Sequence, residues 1–152
     1  MKALIILSAA SISFAACTST PDKTIRNTDS LSVSPVTVPD TLCFRKLDGA
    51  ANQDTTSLQM IIDGKQVSGF FAHYPFQKDR RVGEITATIS DDLIKGIWTY
   101  MQEGINDTLD VEFKLNGDKL IQKSYTIDPA TGREIISDTS VFNIELNKVD
   151  CL

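Results

Sequence analysis

Apolar and polar residues alternate along most of the chain from residue 41 onward, the pattern of half-buried β-strands. In the run TSLQMIID, three apolar side chains fall on one face, and the Gly-Lys pair that follows predicts a two-residue hairpin turn into QVSGFFAHY. This turn imposes a register that places Ile62 opposite Val67, Met60 opposite Gly69, and Leu58 opposite Phe71. The partners share a face, so the pattern and the turn predict the same hairpin.

The alternation recurs in the segments GEITATIS, LIKGIWTYMQ, DTLDVEFKL, KLIQKSYTI and VFNIELNKV. A turn at Asp91 and Asp92 joins the first two, and NGD predicts a further hairpin, after which either Leu120 or Ile121 faces inward. No helical period appears. The sequence therefore predicts an all-β fold of about eight antiparallel strands in a meander that closes into a small lipocalin-like barrel, with an open β-sandwich as the alternative. The hairpin with its turn at Asp91 and Asp92 places Ile85, Ala87 and Ile89 on the same face as Ile94, Gly96 and Trp98.

The first 16 residues have the character of a targeting segment. Lys2 precedes the apolar run ALIILSAASISFAA, which is shorter than the roughly 20 residues that a membrane-spanning helix requires. A buried N-terminal helix is the alternative, but the apolar character stops abruptly after Cys17. Residues 17–40 are rich in Ser, Thr, Pro and Asp and predict a flexible tether. The predicted organisation is a signal peptide over 1–16, a tether over 17–40 and a barrel over 41–152.

The segment FAAC at the end of the apolar run resembles the lipobox of bacterial lipoproteins. The resemblance implies that Cys17 carries acyl chains such as palmitate, becomes the new N-terminus and anchors the chain to a lipid bilayer. Cleavage after Ala15 by an ordinary signal peptidase is the alternative. We expect a location in the bacterial cell envelope, on the outer membrane and facing the periplasm.

The chain holds three cysteines, an odd number for an exported protein. If Cys17 carries lipid, Cys43 and Cys151 remain as an even pair in an oxidising compartment. We predict a disulfide between them, and two buried free thiols are the alternative.

Charge and motifs exclude several classes of function. The net charge of −5 argues against a nucleic-acid partner, which requires a basic patch. The single histidine, His73, excludes a two-histidine zinc site, and no nucleophile, C-x-x-C or phosphate-loop motif is present. We therefore predict no enzyme activity, no metal and no cofactor. His73 falls on the face of Phe71, where a hydrogen-bonded core or rim residue is the expected role.

Glycine and aromatic residues on one predicted face raise the question of a hollow interior. Glycine leaves room that aromatic side chains could line, but it also relieves crowding where a barrel bends. We expect the interior to be filled, because Leu, Ile, Val, Phe and Met dominate the inward positions. The candidate ligand-cavity residues are Gly69, Phe71, Gly96, Trp98 and Tyr100.

Together, FAAC, CFRKL, DGKQVSG, KDRRVGEI and the terminal KVDC resemble small lipid-anchored β-barrel lipoproteins of Bacteroidetes. The resemblance implies location and fold and adds no chemistry. We expect a membrane-anchored binding or envelope-interaction module, whose partner is an envelope protein. The alternative is a lipocalin-like carrier of a small apolar ligand.

Overall fold

The computed structural model of the protein describes residues 40 to 151. The predicted signal peptide, Cys17 and the tether up to residue 39 lie outside the described residues. Eight strands form a closed antiparallel barrel in the order β1-β10-β7-β6-β5-β4-β3-β2, and β8 pairs with β9 in a separate hairpin. The predicted all-β barrel is confirmed. The strands are β1 (Asp40–Asp48), β2 (Asp54–Asp63), β3 (Gln66–Tyr74), β4 (Arg81–Ser90), β5 (Leu93–Gln102), β6 (Ile105–Asn116), β7 (Lys119–Lys123), β8 (Thr126–Ile127), β9 (Glu134–Ile135) and β10 (Phe142–Val149).

The hairpin registers match those predicted from the turns. Strands β2 and β3 pair with Met60 opposite Gly69, and β4 and β5 pair with Ile85 opposite Trp98. After the turn that follows β6, Leu120 is fully buried and Ile121 is half-buried. The question that the sequence left open at this turn is thereby decided in favour of Leu120 as the inward residue.

The two ends of the barrel differ in their connections. One end holds the tight β2–β3, β4–β5 and β6–β7 turns, together with the start of β1 and the end of β10. We call this the disulfide end, because Cys43 and Cys151 are joined by a disulfide there, with 5.3 Å between their Cα atoms. The other end, which we call the mouth, holds the β1–β2, β3–β4 and β5–β6 connections and the long segment 124–141. The predicted Cys43–Cys151 pair is confirmed.

The interior is filled from the disulfide end to the middle of the barrel. Glycines on the inward face permit close approach of neighbouring strands, since a Cβ placed on Gly69 would lie 2.9 Å from Cα of Met60. Gly96 is crowded in the same way by the backbone of β4. The core is made of the buried residues Leu42, Phe44, Leu58, Met60, Val67, Phe71, Ile85, Ala87, Ile94, Trp98, Tyr100, Leu109, Val111, Phe113, Leu120 and Leu146.

Candidate functional site

The inward face of the barrel changes from apolar to polar as the strands approach the mouth. On β1, Phe44 is followed two positions later by Lys46, and on β7 Leu120 is followed by Gln122. The same change takes place on β3, where His73 follows Phe71. Because alternate residues of a strand face the same side, these polar side chains continue the inward row rather than pointing outward. The mouth therefore presents hydrogen-bonding groups above an apolar floor.

The long connection between β7 and β10 folds over the mouth, and we call residues 124–141 the cover. Its ends meet through a hydrogen bond of 2.8 Å from the backbone N–H of Ser124 to the carbonyl of Val141. Within it, β8 and β9 form a short hairpin. Two ion pairs join this hairpin to the barrel: Arg81 with Glu134, and Arg133 with Asp107 at 2.7 Å.

Beneath the cover lies a cavity of about 240 Å³. Its walls come from seven barrel strands and from the cover, and they mix aromatic, neutral polar and charged side chains. A volume of this size suits a ligand smaller than the drug-sized molecules that occupy sites of roughly 300 to 1,000 Å³. The lining residues are Lys46, Asp48, Thr56, Phe71, His73, Arg81, Trp98, Gln122, Tyr125, Glu134 and Ile144.

Two of the lining side chains carry buried polar atoms that lack a partner. Among residues 40–151, no hydrogen bond reaches Nε1 of Trp98 or the hydroxyl oxygen of Tyr125. Burial raises the pKa of the Tyr125 hydroxyl, and the nearby side chain of Gln122 partly offsets this effect without coming into normal hydrogen-bond geometry. A buried polar group without a hydrogen-bond partner lowers the stability of a fold by about 1 to 3 kcal/mol. These two atoms therefore mark a place in the interior where hydrogen-bonding groups are left unused.

Charged groups on the cavity wall are compensated by one another. Lys46 pairs with Asp48 at 2.6 Å, and Arg81 pairs with Glu134. His73 adds no charge at neutral pH, because burial and, secondarily, the nearby positive charge of Arg81 lower its pKa below the usual value. Two cations therefore face two anions, and the wall has no net charge.

The His73 ring is held in place by a hydrogen bond of 2.9 Å between its Nδ1 and the hydroxyl of Thr56 on the neighbouring strand. The position on the face of Phe71 and the hydrogen-bonded state agree with the role expected from the sequence. Thr56 is 7% exposed and extends the inward row of β2 below the cover.

The pair Arg81–Glu134 lies at the rim of the cavity, which is partly open to solvent. Both residues line the cavity, and both also line two surface depressions, one beside the β3–β4 loop and one between the cover and β6. Arg81 is further held by Gln102, whose Oε1 accepts a hydrogen bond of 2.9 Å, and its guanidinium lies 5.4 Å from the ring centre of Tyr100.

The candidate cavity residues named from the sequence divide into two groups. Phe71 and Trp98 line the cavity. Gly69 and Gly96 lie against neighbouring backbone, and Tyr100 packs on the far side of Trp98 with its hydroxyl 3.5 Å from a carboxylate oxygen of Asp107. The structure brings only the first two of these residues to the cavity.

Sequence reasoning missed several residues of the cavity wall. Thr56 and Gln122 continue the inward rows of β2 and β7, so the alternation along these strands could have predicted that both side chains face the interior. Tyr125 lies near the end of the alternating segment KLIQKSYTI, and Glu134 lies in the part of the cover without a periodic pattern. Nothing in the local sequence predicts that they fold over the mouth.

Within the part of the chain that the structure describes, no cluster of His, Cys, Asp and Glu residues has the arrangement of a metal site. Residues 40 to 151 also contain no helix that is long and apolar enough to cross a lipid bilayer. In comparisons with known proteins, the chain matches no family model, no curated protein and no solved structure.

Proposed function

We propose that the protein is a lipid-anchored binding module of the bacterial cell envelope, and that it holds a small molecule in the cavity at the mouth of its barrel. The anchor is supported by the sequence alone, through the apolar run of the first 16 residues and the FAAC segment. The binding role is supported by the cavity and by the residues that line it.

The observation that carries the binding role is the contrast between the two ends of one interior. From the disulfide end to the middle, apolar side chains fill the barrel, whereas at the mouth polar side chains surround a cavity and two buried polar atoms have no partner among residues 40–151. A small eight-stranded barrel needs no such cavity to be stable, because side chains can fill its interior. A pocket with a few convergent polar groups is the usual form of a small-molecule site.

A carrier of a small apolar ligand is the second candidate. Its support is the aromatic surface of Phe71 and Trp98 on the cavity floor. Against it, the cavity wall carries four charged side chains, and the apolar half of the interior is already occupied by the core. An apolar ligand would therefore cover polar groups without pairing them, at a cost in affinity.

The place where the barrel begins is compatible with an anchored binding module. Strand β1 begins at Asp40, at the disulfide end, so the tether would join the barrel at the end opposite to the mouth.

We expect Cys17→Ser to release the protein from the membrane fraction or to block its processing, because serine cannot accept a thioether-linked lipid. Fractionation of expressing cells, with the mass of the mature N-terminus, measures this. Thr18→Ser, one position further along, is the matched control and should stay with the membrane. Equal membrane partition of the Cys17 variant and wild type, together with an unmodified N-terminal mass in wild type, would exclude the anchor.

We expect Gln122→Met to weaken small-molecule binding by about tenfold or more, since it removes one hydrogen-bonding group from the cavity wall with little change in volume. The test uses a mixed panel of small neutral, charged and apolar compounds, with thermal unfolding and Trp98 emission as readouts. Trp98 is the only tryptophan, so its emission reports the cavity directly. Gln59→Met, an exposed position on the outside of β2, is the control.

Two results would count against the binding role. One is a panel in which no compound changes the unfolding temperature or the emission of wild type. The other is a loss of binding that is equal in Gln122→Met and Gln59→Met.

A further inference from the structure

The nature of the cavity wall restricts the chemistry of its ligand, if the proposed binding role is correct. A charged ligand would have to compete with Asp48 for Lys46 or with Glu134 for Arg81, because each cation already has an anion beside it. Inserting one more charge would leave an uncompensated charge in a partly buried site, which is costly. The wall therefore favours an uncharged ligand.

The hydrogen-bonding groups of the wall restrict it further. The indole N–H of Trp98 can only donate, the hydroxyl of Tyr125 can donate and accept, and the amide of Gln122 offers both kinds of group. The hydroxyl of Thr56 is already bonded to His73 and has capacity for one further hydrogen bond or more. A ligand that satisfies all of them must itself both donate and accept at several points. Hydroxyl groups do this, whereas an apolar compound does neither.

The aromatic floor adds a rigid surface. Trp98 packs against Phe71 and Tyr100, with 4.6 Å between ring centres in each pair, so the indole orientation is fixed. Its N–H, which has no partner among the described residues 40–151, belongs to a ring that lines the cavity. A ligand with an apolar carbon skeleton and peripheral hydroxyls would match this floor and the polar wall together.

We infer that the ligand is an uncharged polyhydroxylated compound of monosaccharide size, held between the Phe71–Trp98 floor and the polar side chains of Thr56, Gln122 and Tyr125. The volume of about 240 Å³ limits it to a single small ring or its open-chain equivalent. This inference rests on the proposed binding role and gives it a chemical class.

The test is a charge series on one carbon skeleton, with the Cys17→Ser chain. The probes are neutral hexoses (glucose, galactose, mannose), their uronates as anions, and their hexosamines as cations; the apolar dye N-phenyl-1-naphthylamine completes the set. Binding is measured by isothermal calorimetry and by Trp98 emission. We expect saturable binding of at least one neutral hexose, and binding about tenfold or more weaker for its charged counterparts.

Paired threonine variants give the site-specific readout. Thr56→Val removes a hydroxyl from the cavity wall, together with its hydrogen bond to His73, and should weaken binding of the neutral hexose by about tenfold. Thr99→Val, exposed on the outside of β5, should not weaken binding. Thermal unfolding of both variants establishes that each is folded at the temperature of the titration.

The outcomes separate the ligand class from the binding role. If a uronate, a hexosamine or the dye binds with an affinity equal to or higher than that of every neutral hexose, the ligand class is overturned and the binding role still stands. The same holds if no probe of the series binds while a compound of the wider panel does. Absence of binding by every compound of both sets overturns the class and the role together.

Discussion

Replacement of Trp98 by alanine is expected to lower the free energy of unfolding by about 3 kcal/mol, the lower part of the range for deleting a core aromatic side chain. Trp98 is 2% exposed and contacts Phe71 and Tyr100. Its removal would extend the cavity into the filled half of the barrel. The value falls in the lower part of the range because the same change removes a buried N–H without a partner among residues 40–151.

The measurement is denaturant unfolding of the Trp98 variant, followed by circular dichroism because the variant has no tryptophan. Ile97→Ala is the matched control, since Ile97 is the preceding residue on the same strand, faces outward and is 50% exposed. The control should cost roughly 0.5 kcal/mol or less, as surface changes usually do. A loss below about 1 kcal/mol for the Trp98 variant would show that this part of the interior is not packed as described.

The double variant Cys43→Ala with Cys151→Ala is expected to lose about 3 to 5 kcal/mol of stability. The two cysteines are 108 positions apart, so the disulfide removes a large amount of conformational entropy from the unfolded chain. It also lies at the junction of the first and last strands, where β1 and β10 pair only over the short stretch Cys43–Arg45. The bond therefore reinforces a seam of the barrel whose strand ladder is short.

Urea unfolding of the double variant, and of the wild type with and without a reductant, measures the contribution of the disulfide. Reduced wild type should match the double variant within about 1 kcal/mol. Cys17→Ser is the control for loss of a cysteine as such, and it should unfold like the oxidised wild type. A double variant as stable as the oxidised wild type would show that the strand ladder alone closes the barrel.

The hairpins could be predicted from the sequence because their determinants are local. A tight turn such as Gly64-Lys65 fixes the register of two strands, and the alternation on both sides then decides which face is buried. The pairs Met60–Gly69 and Ile85–Trp98 follow from those two facts alone. Where the turn was less definite, at the start of β7, the sequence left the inward residue open.

The mouth could not be predicted in the same way. The cover has no periodic pattern after residue 127, and the contact that fixes it joins Arg81 to Glu134, 53 positions further along the chain. Such a contact is decided by the packing of the whole barrel rather than by neighbouring residues. For the same reason, the sequence could offer only aromatic and glycine positions of the hairpins as candidate cavity residues. Of these candidates, Phe71 and Trp98 line the cavity.

The central claim, that the mouth cavity binds a small molecule, is tested most directly at the indole N–H of Trp98. Because Trp98 is the only tryptophan, its side chain gives a single indole signal in a nitrogen–proton correlation spectrum of the labelled Cys17→Ser chain. We predict that a neutral hexose of the charge series moves this signal saturably, in the direction of a newly formed hydrogen bond, and that Gln122→Met weakens the response. An indole signal that stays in place with every compound of the charge series and of the wider panel would contradict the account.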